Sequence, residues 1–298
     1  MPRCFSQTLR GVTSLLLMLS NTLFWFVPIC CLAITKLPAW PASRRWCSRW
    51  LDWCASGWIS VNNLIQHGLR LGRVQVVGVD KLSQKEWYMV IANHQSWVDI
   101  LVLQRVLNHR IPFLKFFLKK ELIWVPLLGL AWWALDFPFM RRYSARVLQR
   151  HPHLRGQDIE TTRRACAKFR DMPVSIMNFV EGTRYTAAKH RNQGSPFSHL
   201  LKPRAGGIAF TLGAMGDQLH RLLDVTICYP QGAPSFWDFL CGKVRDIRVH
   251  VDILPIGEEL KGDYFNNASF QHSFQQWLND RWRAKDHQLQ TWLSRESS

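Results

Sequence analysis

The first feature that could do chemistry is a histidine followed five residues later by an aspartate, in the segment Asn93-His94-Gln95-Ser96-Trp97-Val98-Asp99. This segment follows an apolar run, Tyr88 to Ala92, that predicts a strand, and it precedes a predicted helix. Along one straight helix such side chains would point about 140° apart, so His94 and Asp99 can meet only across a strand-to-helix turn. A carboxylate on one imidazole nitrogen leaves the other free to take a proton from a hydroxyl, so the pattern predicts a general base.

The spacing by itself does not separate catalysis from structure. His153 and Asp158 repeat the spacing in a basic loop with no strand before it, and there the histidine has no rigid edge to project from. For His94 and Asp99 the alternative is a buried polar network in which the aspartate only caps its helix. On this pair alone, that alternative stays open.

A second motif closes another apolar strand, in the segment Phe179-Val180-Glu181-Gly182-Thr183-Arg184. Gly182 permits a tight turn, and the planar guanidinium of Arg184 can present two donors to a phosphate. Two polar motifs at strand ends favour a site over two coincidences.

Together the motifs resemble the NHxxxxD and FPEGTR blocks of the glycerolipid acyltransferase family that includes 1-acylglycerol-3-phosphate acyltransferase. The resemblance covers roughly residues 70 to 230 and keeps the order of the blocks. It implies His94 as general base and Asp99 as its partner. It also implies that the acceptor's phosphate is bound by Glu181, Gly182, Thr183 and Arg184.

Two looser matches extend the resemblance. An aromatic stretch ends in Arg141 and Arg142, which the family pattern places near the glycerol phosphate, although a solvated basic turn explains it nearly as well. Lys202 precedes two glycines and a helix whose first amides could help bind an anion. Val180 replaces the usual proline, and the family's proline-rich fourth block is reduced to Val225 through Pro230, which puts acyl-chain specificity in doubt.

Short β-rich runs alternate with helical ones after residue 72, and this alternation predicts an α/β fold with a mixed sheet flanked by helices. The predicted strands are Val74 to Val79, Trp87 to Ala92, Ser175 to Val180, Val225 to Tyr229 and Ile247 to Leu254. The predicted helices are Asp99 to His109, Asp158 to Asp171, Gly206 to Met215 and Phe270 to Ala284.

The amino-terminal part predicts a membrane anchor. No charged residue occurs from Val12 to Ile34, and a helix of that length reaches roughly 34 Å, enough for a bilayer core. A secretory signal or a buried core helix is the alternative, but the run is long for a signal and lacks a typical cleavage site. The predicted division is an anchor at 1–38, an amphipathic interfacial helix at 39–72 and a catalytic domain at 73–298.

Tryptophans at helical spacing behind an arginine cluster support the interfacial helix, with an ordinary core-facing helix as the alternative. A further apolar stretch, Leu122 to Met140, predicts a greasy wall beside the site rather than a second span, since Pro126, Gly129 and Asp136 interrupt it. Basic residues after the anchor favour a body facing the cytoplasm, and the predicted location is the bacterial inner membrane.

The net charge of +17, with 15 Trp and 17 Phe, suits an anionic membrane interface, and no nucleic-acid partner is expected. The eight cysteines form no CxxC pair and predict free thiols. Because phosphate-loop, dinucleotide and zinc motifs are absent from the sequence, we expect no metal and no cofactor.

The function that the resemblance implies is transfer of a fatty acyl group from acyl-CoA or acyl carrier protein to the free hydroxyl of lysophosphatidate, giving phosphatidate without an acyl-enzyme. Another lysophospholipid acceptor, such as lysocardiolipin, is the first alternative. The second is a non-catalytic cationic membrane protein that binds anionic lipid or nucleic acid.

Overall fold

The computed structural model describes residues 2–36, 41–126, 128–140, 163, 166–169, 172–215 and 218–294. Arg141, Arg142 and most of the helix predicted from Asp158 to Asp171 lie outside these ranges. The helices are α1 (Pro2–Lys36), α2 (Pro41–Gly68), α3 (Val98–Leu107), α4 (Leu128–Ala134), α5 (Ala187–Gln193), α6 (Gly206–Met215), α7 (Phe236–Leu240) and α8 (Ala268–Ser294). The strands are β1 (Arg73–Val77), β2 (Tyr88–Ala92), β3 (Leu114–Phe116), β4 (Leu118–Lys119), β5 (Phe139–Met140), β6 (Ser175–Phe179), β7 (Arg221–Cys228) and β8 (Asp246–Pro255).

The main sheet has six strands in the order β1-β8-β7-β2-β6-β3. Only β7 and β8 pair antiparallel, and the other neighbours are parallel. Strands β4 and β5 form a separate two-stranded parallel sheet. The predicted fold class, a mixed α/β sheet, is confirmed.

Helices cover both faces of this sheet, because its central strand is apolar on both sides. All five residues of β2 are buried. One core cluster joins the sheet to α3 through Val102 and Val106. The other joins it to α6 and α8 through Ile208 and Trp282. Such double coverage is typical of sheets rich in parallel strands.

The structure differs from the prediction where charged residues interrupt apolar runs. β3 was missed because it is three residues long and Lys115 lies at its centre, and β7 begins at Arg221 rather than Val225. Asp224 inside β7 is buried, and its charge is met by Arg281 and Lys285 of α8 at 3.0 and 2.7 Å. Because these partners come from distant segments, the sequence near Asp224 does not indicate that a charged residue can lie inside a buried strand.

The two amino-terminal helices pack against each other along an apolar seam. The side chain of Asn21 in α1 donates to Asn62 of α2 at 2.9 Å. Gly57 lets α2 approach Trp25, since a Cβ there would lie 2.5 Å from the indole. The part of α1 from Ser6 to Lys36 contains an 18-residue stretch with a mean hydropathy of 2.0, and by length and composition it could cross a membrane.

Both ends of α1 also contact the α/β domain. Near its start, the Ser14 hydroxyl donates to the Leu240 carbonyl of α7 at 3.0 Å. At its end, the Lys36 ammonium donates to the Ala134 carbonyl of α4 at 3.2 Å and pairs with Asp136. The helix therefore lies along the domain rather than projecting away from it.

Candidate active site

The two sequence motifs meet at one edge of the sheet. In the parallel pair of β2 and β6, Ala92 lies opposite Phe179, so the residues that follow both strands emerge side by side. The Tyr185 amide donates to the His94 carbonyl at 2.7 Å, which ties the two turns together. Carboxyl ends of parallel strands are a common place for a site.

His94 and Asp99 form a close pair across the strand-to-helix turn. Nδ1 of His94 lies 2.8 Å from an Asp99 carboxylate oxygen, and Asp99 is fully buried. The same oxygen accepts the backbone amides of Gln95 and Ser96 at 2.6 and 2.9 Å. Since a carboxylate acceptor requires a donor, Nδ1 is assigned the hydrogen, and in the neutral imidazole the lone pair is then on Nε2.

The imidazole ring of His94 is also fixed from one side. It stacks on the Phe179 ring with centroids 3.9 Å apart and planes 13° from parallel. Phe179 in turn stacks on Phe116 of β3 at 6.3 Å. The apolar end of β6 thus holds the ring in place from the side, and the Asp99 hydrogen bond fixes its rotation.

Tyr229 completes the surroundings of Asp99, and it was not singled out from the sequence. It follows β7, and its hydroxyl donates to the other Asp99 oxygen at 2.6 Å. Burial raises the pKa of Tyr229 well above its usual range, and the Asp99 carboxylate adds to this, so the hydroxyl stays a donor. The available signal in the sequence was a tyrosine at the end of the predicted strand Val225 to Tyr229.

Glu181 lies beneath the site rather than on its surface. Its side chain is fully buried, and its two oxygens accept the amides of His94 at 2.9 Å and Leu201 at 3.0 Å. It therefore joins the two motifs to the Lys202 segment. Burial raises the pKa of Glu181 to about 8, against the lowering effect of the two amides and of the Lys285 ammonium.

The turn after β6 presents the cations. Gly182 adopts a left-handed conformation with φ of +70°, which is why a glycine is needed there. The guanidinium of Arg184 lies 4.6 Å from the centroid of the Trp97 ring, within the NHxxxxD segment. The Lys189 ammonium donates to the Thr183 hydroxyl at 2.6 Å, so this lysine belongs to the turn although the motif does not include it.

Lys202 is exposed on the neighbouring segment. Its backbone amide donates to the Gln193 side chain at 3.2 Å. The amide of Arg204 donates to the Val180 carbonyl at 2.8 Å, which docks this segment on the turn. The structure thus groups Arg184, Lys189 and Lys202 in adjoining segments, whereas Arg141 and Arg142 lie outside the described residues.

The fold and this edge define an α/β protein with a histidine–aspartate pair beside a cationic turn. Residues 73–227 match the family described as Acyltransferase, which is more than half of the 298 residues. The chain belongs to this family. It is therefore an acyltransferase, and the non-catalytic interpretation of its charge is not supported.

The chain is similar in sequence to curated relatives and can be compared with a solved structure. The chain is 27% identical over 303 residues to "Lysocardiolipin acyltransferase 1" of Danio rerio, covering 94% of this chain and 71% of the relative. It is 25% identical to "Probable 1-acyl-sn-glycerol-3-phosphate acyltransferase 5" of Arabidopsis thaliana, covering 92% and 74%. The crystal structure of the acyltransferase PlsC from Thermotoga maritima has 16% identity and a TM-score of 0.45, covering 93% of this chain and 98% of that one.

The buried Glu181 predicts a pH dependence of stability. Its pKa is about 8 in the folded chain against an ordinary 4.5, so the folded state holds an extra proton between these values. The free energy of unfolding should therefore fall as pH rises from about 5 to about 8. Thermal melts of the wild type and Glu181→Gln over this range should show a smaller fall in the variant. The exposed Glu258→Gln is the control, and parallel curves for Glu181→Gln would count against the assignment.

Tyr229→Phe should slow turnover without unfolding the protein. It removes one donor from the buried Asp99 carboxylate, and a hydrogen bond to a charged group contributes about 1.5–3 kcal/mol. We expect kcat to fall roughly tenfold with little change in KM. The matched control is Tyr88→Phe at the opposite end of the sheet, where a buried tyrosine donates to the Glu86 carboxylate at 3.0 Å. Equal kcat values for both variants would show that the Tyr229 hydroxyl has no role in turnover.

Proposed function

We propose that this acyltransferase moves a fatty acyl group from a thioester donor to the free hydroxyl of lysophosphatidate, giving phosphatidate. The observation that carries the proposal is the His94–Asp99 pair at 2.8 Å, on the same sheet edge as the turn that presents Arg184. The net charge of +17 of this chain supports a phosphorylated acceptor, and so do the names of its relatives. The zebrafish relative's name keeps lysocardiolipin as the second candidate acceptor.

His94 acts as the general base in this proposal. Asp99 holds the Nδ1 hydrogen, and Nε2 has no protein partner in the described part of the chain, so it is the nitrogen that accepts the hydroxyl proton. The oxygen then attacks the thioester carbonyl and the carbon–sulfur bond breaks. The leaving thiolate takes the proton back from the imidazolium. Because the acceptor oxygen attacks the thioester directly, no acyl-enzyme forms.

The cationic turn holds the acceptor's phosphate. Arg184 offers a planar pair of donors, while the Trp97 face limits where the guanidinium can move. We assign Thr183 and Lys202 to the same phosphate and Gly182 to the turn that shapes the site. Glu181, whose carboxyl is buried, supports the His94 and Leu201 backbone instead of contacting an anion.

The donor in this proposal is acyl-CoA or acyl carrier protein, and the chemistry uses neither a metal nor a nucleotide cofactor. The imidazole supplies the base, and the thioester is already activated. A bound lipid acceptor and a tethered enzyme share one surface, which raises their effective concentration.

We place the protein at the bacterial inner membrane with its catalytic domain facing the cytoplasm. Helix α1 exposes an apolar side that includes Leu16, Phe24 and Val27, and α2 exposes Trp46, Trp50 and Trp53 behind exposed arginines. Indole rings beside cations suit the headgroup region.

An acceptor panel tests the function. The purified full chain in lipid nanodiscs is given labelled oleoyl-CoA with lysophosphatidate, lysocardiolipin or monoacylglycerol, and products are separated by thin-layer chromatography. Labelled phosphatidate as the main product supports the proposal. A preference for lysocardiolipin changes the acceptor but keeps the reaction, whereas no labelled lipid with any acceptor contradicts it.

His94→Ala should abolish most turnover. General base catalysis contributes about 10² to 10⁴ in rate, so kcat should fall by at least about a hundredfold while the variant still folds and stays in the membrane fraction. His153→Ala is the matched control, because it removes the histidine from the other sequence match to the same spacing, and it should keep wild-type turnover. Loss in both variants, or in neither, would reject His94 as the base.

Arg184→Ala should raise KM for lysophosphatidate more than it lowers kcat, because it removes a phosphate contact. Arg184→Lys should recover only part of the loss, since an ammonium cannot form the two-donor contact or stack as well on Trp97. Monoacylglycerol, which lacks the phosphate, should respond weakly to either change. The control is Arg191→Ala, an exposed arginine at the end of α5. A similar KM increase for both acceptors would argue against a phosphate contact.

A further inference from the structure

The exposed large apolar side chains of the α/β domain are concentrated beside α1. Among the described residues from 73 onward they are Val77, Trp97, Trp124, Leu128, Leu130, Trp133, Phe236 and Trp237. Six of these lie on α7, on α4 or on the 3₁₀ turn before α4. Helices α4 and α7 both pack against α1. An apolar surface of this kind, larger than isolated exposed residues, marks an interaction site.

One part of this surface is a compact projection, which we call the apolar wedge, formed by residues 122–126 and 128–134. Trp124 at its tip is 85% exposed. Gly129 closes the projection, because a Cβ there would lie 2.0 Å from the Ile123 carbonyl oxygen. The amide of Gly129 donates to the Val125 carbonyl at 2.8 Å. The exposed side chains are therefore held on a fixed turn.

The base of the apolar wedge is fixed to the amino-terminal helices. Ala134 is fully buried with Ile29 and Ala33 of α1 and Leu51 of α2. The carbonyls at the end of α4 are met by buried cations, since Lys36 donates to Ala134 at 3.2 Å and Lys115 donates to Leu135 at 2.8 Å. The wedge is thus fixed to the carboxyl-terminal part of α1, where Val27 and Ile34 are exposed.

Composition identifies the occupant. No charged residue occurs from Leu122 to Leu135, whereas Lys119 and Lys120 precede this stretch and Arg141 and Arg142 follow it. The seven residues of α4 rise only about 10 Å, too little to span a bilayer core. Short apolar segments with indoles and flanking cations match the boundary between the acyl chains and anionic headgroups.

We infer that the apolar wedge is a second membrane contact, through which the catalytic domain itself inserts Trp124 and its neighbours into an anionic phospholipid bilayer. The inference rests on the proposed membrane location and does not depend on the acceptor. Two contacts joined through α1 hold the sheet edge with His94 at a fixed orientation to the lipid surface. The stretch predicted as a wall beside the site is then exposed to lipid.

The test measures depth. A nitroxide is attached to Trp124→Cys in the full chain, with Cys4, Cys30 and Cys31 changed to alanine, in nanodiscs of phosphatidylethanolamine and phosphatidylglycerol. The label should be more accessible to oxygen than to a water-soluble nickel chelate. The matched control is Val77→Cys, 62% exposed on the edge strand β1, which should be accessible to the chelate. Equal chelate accessibility at the two positions would overturn the inference.

A second readout uses turnover. Leu128→Glu/Leu130→Glu should lower activity on vesicle-embedded lysophosphatidate about tenfold and leave activity on short-chain, water-soluble substrates unchanged. Val77→Glu should affect neither. Unchanged activity on vesicles, or an equal loss in both assays, would count against a membrane contact. Since the label reports depth without turnover, failure of the wedge and failure of the proposed acyl transfer give different results.

Discussion

A buried carboxylate that accepts four donors is the constraint on which the site depends. Asp99 is removed from water, and its oxygens are met by His94, Tyr229 and the amides of Gln95 and Ser96. An unpaired charge in that position would cost several kcal/mol, so the donors must be in place when the domain folds. The same bonds fix the ring of His94 and leave Nε2 as its acceptor. The same contacts thus set the geometry of the candidate site and stabilise the fold around it.

The sheet brings those donors together from distant parts of the chain. β2 lies between β6 and β7, so three parallel strands end at one edge and deliver His94, Glu181 and Tyr229. The side chain of Asn93 exchanges two hydrogen bonds with the backbone of Ile227, both at 2.9 Å, and so locks the β2 turn to β7. Glu181 provides the equivalent link to the β6 side.

Ion pairs connect the sheet to the helices that pack on it. Asp224 of β7 meets Arg281 and Lys285 of α8, which fixes the carboxyl-terminal helix to the strand beside the site. On the other side, Lys115 of β3 pairs with Asp52 of α2 at 2.9 Å. These pairs stabilise cations that burial would otherwise destabilise, and the Lys115–Asp52 pair joins α2 to the α/β domain.

The amino-acid sequence predicts the fold class, the two motifs and the strands that end at them, because apolar runs and turn residues are local signals. It placed His94 and Asp99 across one turn, since only five residues separate them. It did not reveal that Tyr229 completes the Asp99 site, that Glu181 lies buried beneath His94, or that Lys115 and Asp224 occupy strands. Those roles depend on partners 20 to 130 residues away in sequence. Only the folded sheet brings a distant donor into contact with a buried charge. A buried charge is stable only where such a donor is present, so these pairs depend on the tertiary structure.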